Sequence, residues 1–191
     1  MSIIFTTITS DEEVNQVLDL QQQNLNKNIS DDVATSQGFV TVQHNFDLLS
    51  RMNAAEPQII AKDGDKVVGY ALVMPTSFRY DIPVLMAMFD MLDELNYQGK
   101  PIKEYRYYAM GQICVAEGYR GQGIFDGMYA LHKERLSGKY DLCITEVAKR
   151  NTRSLAAHAR VGFEIIHEYF DTTHPELWEV VLLDLRPKAI E

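Results

Sequence analysis

The chain has 191 residues, 46% of them apolar, and its 18 lysines and arginines face 27 acids for a net charge of −9. One domain over residues 1–191 fits that length, and the apolar share fills a core and excludes a disordered chain. An acidic surface repels nucleic acid and anionic lipid, and no apolar run is long enough to cross a bilayer, so neither nucleic acid nor membrane is an expected partner.

The first residues, MSIIFTTITSDEE, lack the basic region and long apolar stretch of a signal peptide. IIFTTI (3–8) reads as a strand. SDEEVNQVLDLQQQNL (10–25) follows as a helix, with Ser10 and Glu13 spaced as a capping box and Val14, Val17, Leu18 and Gln21 at helical spacing. Residues 26–44 are polar and irregular, and NFDLLSRMNAA (45–55) is helical. PQIIAKDGDKVVGYALVM (57–74) reads as two strands around the turn DGDK. An apolar helix is expected over about 84–95, then a long aromatic strand over 104–116, EYRYYAMGQICVA. GIFDGMYALHKERL (123–136) is a helix, DLCITEVA (141–148) a strand and TRSLAAHARV (152–161) a helix. FEIIHEYFDT (163–172) and ELWEVVLLDL (176–185) close the chain as strands around the turn THP.

The two cysteines, Cys114 and Cys143, fall inside strand-like runs. That number suits a reduced, cytoplasmic protein better than a disulfide scaffold, and no Cys/His spacing matches a zinc site, so no metal is expected. The order of elements implies an α/β (α+β) sandwich around one mixed sheet, and its two hairpins exclude a purely parallel doubly wound sheet.

EGYRGQGIFDGMY (117–129) carries the chemistry. A helix N-terminus exposes unpaired N–H groups and a partial positive charge, and glycine lets a ligand approach the backbone. RGQG ahead of a helix therefore reads either as a phosphate cradle or as a tight strand-to-helix turn. Arg120, Lys149, Arg150, Arg153 and Arg160 form a basic spot on an acidic chain, which serves a small polyanion or is a solvated helix face. A Walker loop fails, because Ile124 and Phe125 follow Gly123 where Lys and Ser/Thr are required. A dinucleotide fingerprint is nearer, with Gly121, Gly123, Gly127 and then Glu146, but it needs a parallel sheet.

A third reading covers more residues. VAEGYRGQGIFDGMYALHKERL followed by LCITEVAKRNTRSLAAHARVGFEII resembles the GNAT superfamily of N-acetyltransferases. The family signature Q/R-x-x-G-x-G/A is matched by Arg120-Gly121-Gln122-Gly123-Ile124-Phe125. Its second element is matched by Asn151, Ser154, His158, Gly162 and Phe163. The resemblance is strong over about 105–170 and topological elsewhere. It implies a mixed, mostly antiparallel sheet flanked by helices, with strands splayed at the cofactor site. Two positions depart from the pattern: Phe125 puts bulk where the family is usually bare, and His158 replaces the usual tyrosine.

The resemblance implies acetyl-CoA as cosubstrate and direct acetyl transfer to a primary amine of a small molecule or peptide. Its diphosphate would lie on the N–H groups of Arg120, Gly121, Gln122, Gly123, Ile124 and Phe125. Its pantetheine arm would pair with a strand edge at Ile113, Cys114 and Val115, freed by a bulge. Val115 N–H would polarise the carbonyl. His158 is the expected acid for the leaving thiolate, by its position. Glu146 or Gln112 takes the amine proton, since an alkylamine with pKa about 10.4 is charged at pH 7. Asn151 caps a helix, bonds the pantetheine arm, or does both. Cys114 is read as a small core residue and not a nucleophile.

The resemblance further implies that the segment 77–108, with the first two helices, forms the acceptor wall. Phe78, Tyr80, Met86, Phe89, Tyr105 and Tyr107 are apolar wall or core, and Asp81, Asp90, Asp93 and Glu94 attract a cationic amine or form a solvated face. The alternatives to catalysis are a non-catalytic acyl-CoA-binding module on the same fold and a nicotinamide-dependent oxidoreductase. Homodimers are common in the family, although no residue pattern here indicates one.

Overall fold

The computed structural model describes residues 2–25, 40–172 and 175–187. In chain order its elements are β1 (Ile3–Thr7), α1 (Asp11–Asn24), α2 (Phe46–Ala55), β2 (Ile59–Asp63), β3 (Lys66–Pro75), α3 (Met86–Glu94), β4 (Asn96–Tyr97), β5 (Lys100–Pro101), β6 (Tyr107–Val115), α4 (Ile124–Leu136), β7 (Leu142–Ala148), α5 (Thr152–Val161), β8 (Glu164–Asp171) and β9 (Glu176–Asp184). Most of the irregular stretch read over 26–44, and most of the turn THP, lie outside the described residues.

Local chemistry sets the helix starts. The Oγ of Ser10 accepts the N–H of Glu13, Asn45 Oδ1 accepts that of Leu48, and Asn151 Oδ1 accepts that of Ser154. The expected capping box is closed one residue early: Glu13 Oε2 takes the N–H of Thr9 at 2.7 Å, while its Oε1 holds Lys62 Nζ at 2.6 Å. The lysine ties α1 to β2, and the carboxyl of Glu13 is held below its usual range. At the far end of α5, Gly162 adopts φ 106, the left-handed cap that glycine alone takes freely.

Seven strands form one sheet in the order β1-β2-β3-β6-β7-β9-β8. Every pairing is antiparallel except β6 with β7. Helices α1 to α3 cover one face, where Val17, Leu49, Phe89, Tyr70 and Ile144 are buried together. Helix α4 covers the other, with Val68, Val73, Met128, Tyr129 and Cys143 beneath it. Buried on both faces, β3 (KVVGYALVMP) reads as a continuous apolar run and not as an alternation. Gly127 is a packing glycine: a Cβ there would sit 2.1 Å from the ring of Phe5, so α4 lies directly on β1. With a single parallel pairing in the sheet, the dinucleotide reading lacks its required fold.

Two boundaries differ from expectation. The aromatic strand begins at Tyr107, because Ile102–Glu104 forms a 3-10 turn that lets Tyr105 reach Tyr97. Ahead of it lies an unexpected hairpin, β4–β5, turned by Gln98 at φ 48 and Gly99 at φ 78.

The feature that positions the site is a fork. Strands β6 and β7 pair only over Tyr107–Ala109 with Leu142–Ile144. Beyond that point β6 carries a bulge at Gly111, where its register against β3 shifts between Gln112 and Met110. The crotch is pinned by Thr145 Oγ1, which donates to Met110 O at 3.1 Å.

Candidate active site

The head of α4 stands at the open end of β6. Gly118, Gly121 and Gly123 have φ of 82, 77 and 77, and a Cβ at any of them would meet nothing within 4 Å. Glycine is therefore used here for backbone handedness and not for room; another residue in that conformation costs about 1–2 kcal/mol. The first helical bond runs from Gly127 N–H to Gly123 O. The six amides from Gly121 to Asp126 donate to no acceptor among the described residues. Gln122 folds its side chain back to Gly118 O at 2.8 Å, and Asp126 turns its carboxylate to Arg160 at 3.0 Å, so neither caps the helix. An uncapped N-terminus with aligned N–H groups attracts an anion.

Arg120 serves the protein itself. Its Nε donates to Val115 O at 2.9 Å and its Nη2 to Asn24 Oδ1 at 2.6 Å, binding the end of β6 to the end of α1. Ala116 N–H donates to Val68 O. In an antiparallel ladder, main-chain direction alternates residue by residue. Ile113 and Val115 therefore turn their N–H and C=O toward the fork, while those of Cys114 face β3. This corrects the expected edge: Cys114 offers no main-chain group to a ligand there. Its thiol is buried and pushed up to about 12 by that burial, which suits a core residue.

A cavity of about 560 Å³ lies along this edge. Nine of the ten residues expected to hold a cofactor border it, namely Ile113, Cys114, Val115, Arg120, Gly121, Gly123, Ile124, Phe125 and Asn151. Gln122 does not; it is exposed on the outer side of the turn. Of the basic spot, Arg153 and Arg160 border the cavity, while Lys149 and Arg150 pair with Glu168 and Glu176. Ile124 buries its side chain, so only its amide faces the cavity side. The two departures from the family pattern touch each other: the ring of Phe125 lies edge-on to that of His158 at 5.2 Å and packs on Tyr129 at 5.0 Å.

A smaller chamber of about 90 Å³ adjoins the first, with Val40, Ile113, Asn151 and Ser154 bordering both. Glu146 projects at its edge. Burial pushes this carboxyl up to about 6, against the Tyr169 hydroxyl that donates to its Oε2, and Asp171 raises it further. His158 is 2% exposed. Its Nδ1 lies 2.8 Å from Ser154 O, a pure acceptor, so Nδ1 carries the proton. Burial lowers the imidazole to about 4, and Nε2 has no partner among the described residues. At neutral pH Nε2 is thus an acceptor, with no proton to give a thiolate; the geometry does not favour the acid role expected from position. Gln112 cannot take a proton either. It anchors a buried network, accepting from Tyr70 Oη and Gln21 Nε2 and donating to Val42 O. Gln21 in turn meets His44 through both its amide atoms.

The remaining candidates resolve as structure. Asp81 pairs with Arg51, Asp90 and Asp93 with Arg79, and Glu94 with Lys103. Phe78, Phe89 and Tyr107 are core, while Tyr80 is 70% exposed. Sequence reasoning missed Tyr169 and the Gln21–Gln112–His44 network. One signal was available: Gln21 is the polar residue in an otherwise apolar helical stripe. Among the described residues no cluster of His, Cys, Asp and Glu could hold a metal, and no helix is long and apolar enough to cross a membrane.

Residues 28–163 match the model of the acetyltransferase (GNAT) family. No curated protein matches the chain significantly. Solved structures share the fold. The ribosomal-protein-S18-alanine N-acetyltransferase of Escherichia coli is 12% identical, with TM-score 0.62 over 100% of this chain and 99% of that one. The Salmonella typhimurium protein yncA with its cofactor acetyl-CoA is 10% identical, with TM-score 0.63 over 100% and 98%. A phosphinothricin acetyltransferase from Sinorhizobium meliloti in complex with acetyl-CoA is 14% identical, with TM-score 0.64 over 100% and 93%.

Proposed function

The chain belongs to the acetyltransferase (GNAT) family, and from that premise we propose that it moves an acetyl group from acetyl-CoA directly to a primary amine. The observation that carries the reading is the run of open amides at the head of α4, set beside the unpaired edge of β6 in one cavity. Bound acetyl-CoA would supply an activated thioester, so no enzyme nucleophile is needed.

The chain's own residues supply the rest. The amides of Gly121 to Asp126 hold the diphosphate, and Arg153 and the Asp126-paired Arg160 stand at the rim. Ile113 and Val115 present main-chain groups to the pantetheine arm. Asn151 caps α5 through Oδ1 and keeps its N–H₂ for the same arm. Val115 C=O is engaged by Arg120, which leaves Val115 N–H to polarise the thioester carbonyl. Glu146, raised toward neutrality by burial, accepts the amine proton while its Oε2 keeps the hydrogen bond donated by Tyr169. The role we assign to His158 is to brace Phe125. Two free, buried thiols suit the cytoplasm.

The absence of a proton on His158 Nε2 favours one second reading, an acyl-CoA-binding module without turnover. Two measurements decide. CoA at a hundredfold excess over its Kd stabilises the native state by about 2.7 kcal/mol, read as a rise in Tm; no rise at millimolar CoA sinks both readings. Thiol release from acetyl-CoA across a panel of amines then separates them: binding with no turnover on any amine supports the module.

A further inference from the structure

A bulge exchanges the faces on which the later residues of a strand lie. Ahead of Gly111, Tyr107 and Ala109 of β6 belong to the core under α1 to α3, and Tyr108 and Met110 to the core under α4. Unbroken alternation would turn Gln112 toward α4, like Met110. The bulge turns it the other way: Cys114 joins the α1 core, Ile113 and Val115 pack on the α4 side, and Gln112 meets Gln21 of α1.

There Gln112 is buried and fully bonded. Its Oε1 accepts from Tyr70 Oη at 2.6 Å and from Gln21 Nε2 at 2.7 Å, and its Nε2 donates to Val42 O at 2.8 Å. Gln21 Nε2 also donates to His44 Nδ1 at 2.8 Å, and its Oε1 accepts the N–H of His44 at 2.8 Å.

Residues 40–44, just ahead of α2, cross this network as a strap. Val40 and His44 are buried and Val42 half-buried, while Thr41 and Gln43 are exposed. The inward residues are the tethered ones: Val40 N–H donates to Asn24 O, Val42 O accepts from Gln112, and His44 N–H donates to Gln21. Apart from the bridge between Val40 and Leu25, the strap joins no strand among the described residues, so two glutamine side chains set its place.

The strap is also a wall. Val40 borders both cavities, and Val40, Thr41 and Gln112 border the smaller one with Glu146 and His158. The bulge that interrupts the β6 edge is thus the same feature that turns Gln112 onto the strap.

We infer that Gln112 and Gln21 are positioning residues for the acceptor, holding Val40 and Thr41 as a chamber wall in register with the β6 edge offered to the donor. Neither glutamine reacts; both act through the strap. The inference rests on the acetyl-transfer reading and adds to it the device that places its second substrate.

Gln112→Met and Gln21→Met preserve side-chain length and remove these hydrogen bonds, and if one variant fails to fold the other carries the same test. Hydrogen exchange over 40–45 quickens at least about tenfold in the variant, while the β3–β6 ladder keeps its wild-type rates. CoA affinity by calorimetry stays within about threefold of wild type. Thiol release is followed with n-butylamine, benzylamine and trialanine amide as acceptor probes. For each probe that reacts, the acceptor KM rises at least about tenfold and the KM for acetyl-CoA does not. A general loosening of the fold would move both constants together. The inference is overturned if exchange over 40–45 is unchanged in both variants, if the acceptor KM is unchanged, or if CoA affinity falls in step with it. A wild type that turns over none of the probes, or shows no CoA-induced Tm rise, fails the acetyl-transfer reading instead, and the exchange comparison still decides whether the glutamines hold the strap.

Discussion

The two chambers at the fork are built from different materials. The larger is main chain: glycines at positive φ, open amides at a helix head, and the outward-facing groups of Ile113 and Val115, with arginines at its rim. The smaller is side chain: Glu146, Thr145, His158 and Trp178, with no cation among them. A main-chain site is specified by where the backbone goes, so few residues encode it and one misplaced Cβ spoils it. A side-chain site is specified by who stands beside whom, and each member can be exchanged at graded cost.

That contrast orders the expected effects. The largest belongs to Gly123→Glu, which strains a left-handed position and puts a negative charge at the anion site. Affinity for CoA falls more than a hundredfold by calorimetry, whereas Gly123→Ala loses only the strain of about 1–2 kcal/mol. Unchanged CoA affinity in Gly123→Glu would break the comparison at its main-chain end.

Glu146→Gln comes next, with kcat/KM lower by about 10²–10⁴ and CoA affinity retained. In the wild type the carboxyl is protonated below about pH 6, so activity rises with pH through that value; the variant lacks this limb. Stability moves the other way. A carboxyl raised in the folded state contributes stability below its unfolded value, and that is lost as pH rises through about 6. Glu146→Gln is therefore more stable than wild type at pH 7, by at most about 2 kcal/mol. Thermal melts at pH 5 and pH 7 check the sign.

The smallest effect is expected for His158→Phe, whose kcat stays within about tenfold of wild type if the ring only braces Phe125. A hundredfold loss, restored by His158→Tyr, would return the acid role to this position. The imidazole is lowered by burial, so its share of stability is present above pH 6.5 and disappears as pH falls toward about 4. The phenylalanine variant therefore resists acid unfolding better over that window.

The same division governs what could be read in advance. Helix α5 begins after Asn151 and ends before Gly162, both visible as cap residues, and its span was legible to the residue. The glycine turn at the head of α4 was legible because glycine spacing reports backbone conformation directly. The hairpin β4–β5 was not: strands of two residues leave no alternation to find, and QG was its single cue. The family resemblance located His158, but its protonation depends on Phe125, Tyr129 and Phe163 closing around it, which no local pattern records. Tyr169 meets Glu146 across 23 positions of sequence, and Gln21 meets Gln112 across 91. Pairings at that separation are set by the sheet order and not by spacing.

Three rungs, Tyr107 to Ala109 against Leu142 to Ile144, are a short spine for a sheet of seven strands. They join a leaf of four strands that carries the cradle to a leaf of three that carries Glu146 and Trp178. In the proposed reaction the angle between the leaves would fix how far the diphosphate stands from the amine, so torsion at this seam would set its reach. A pantetheine arm laid along β6 stiffens the seam from inside, and amide exchange in β7 would slow on CoA binding although β7 never touches the cradle.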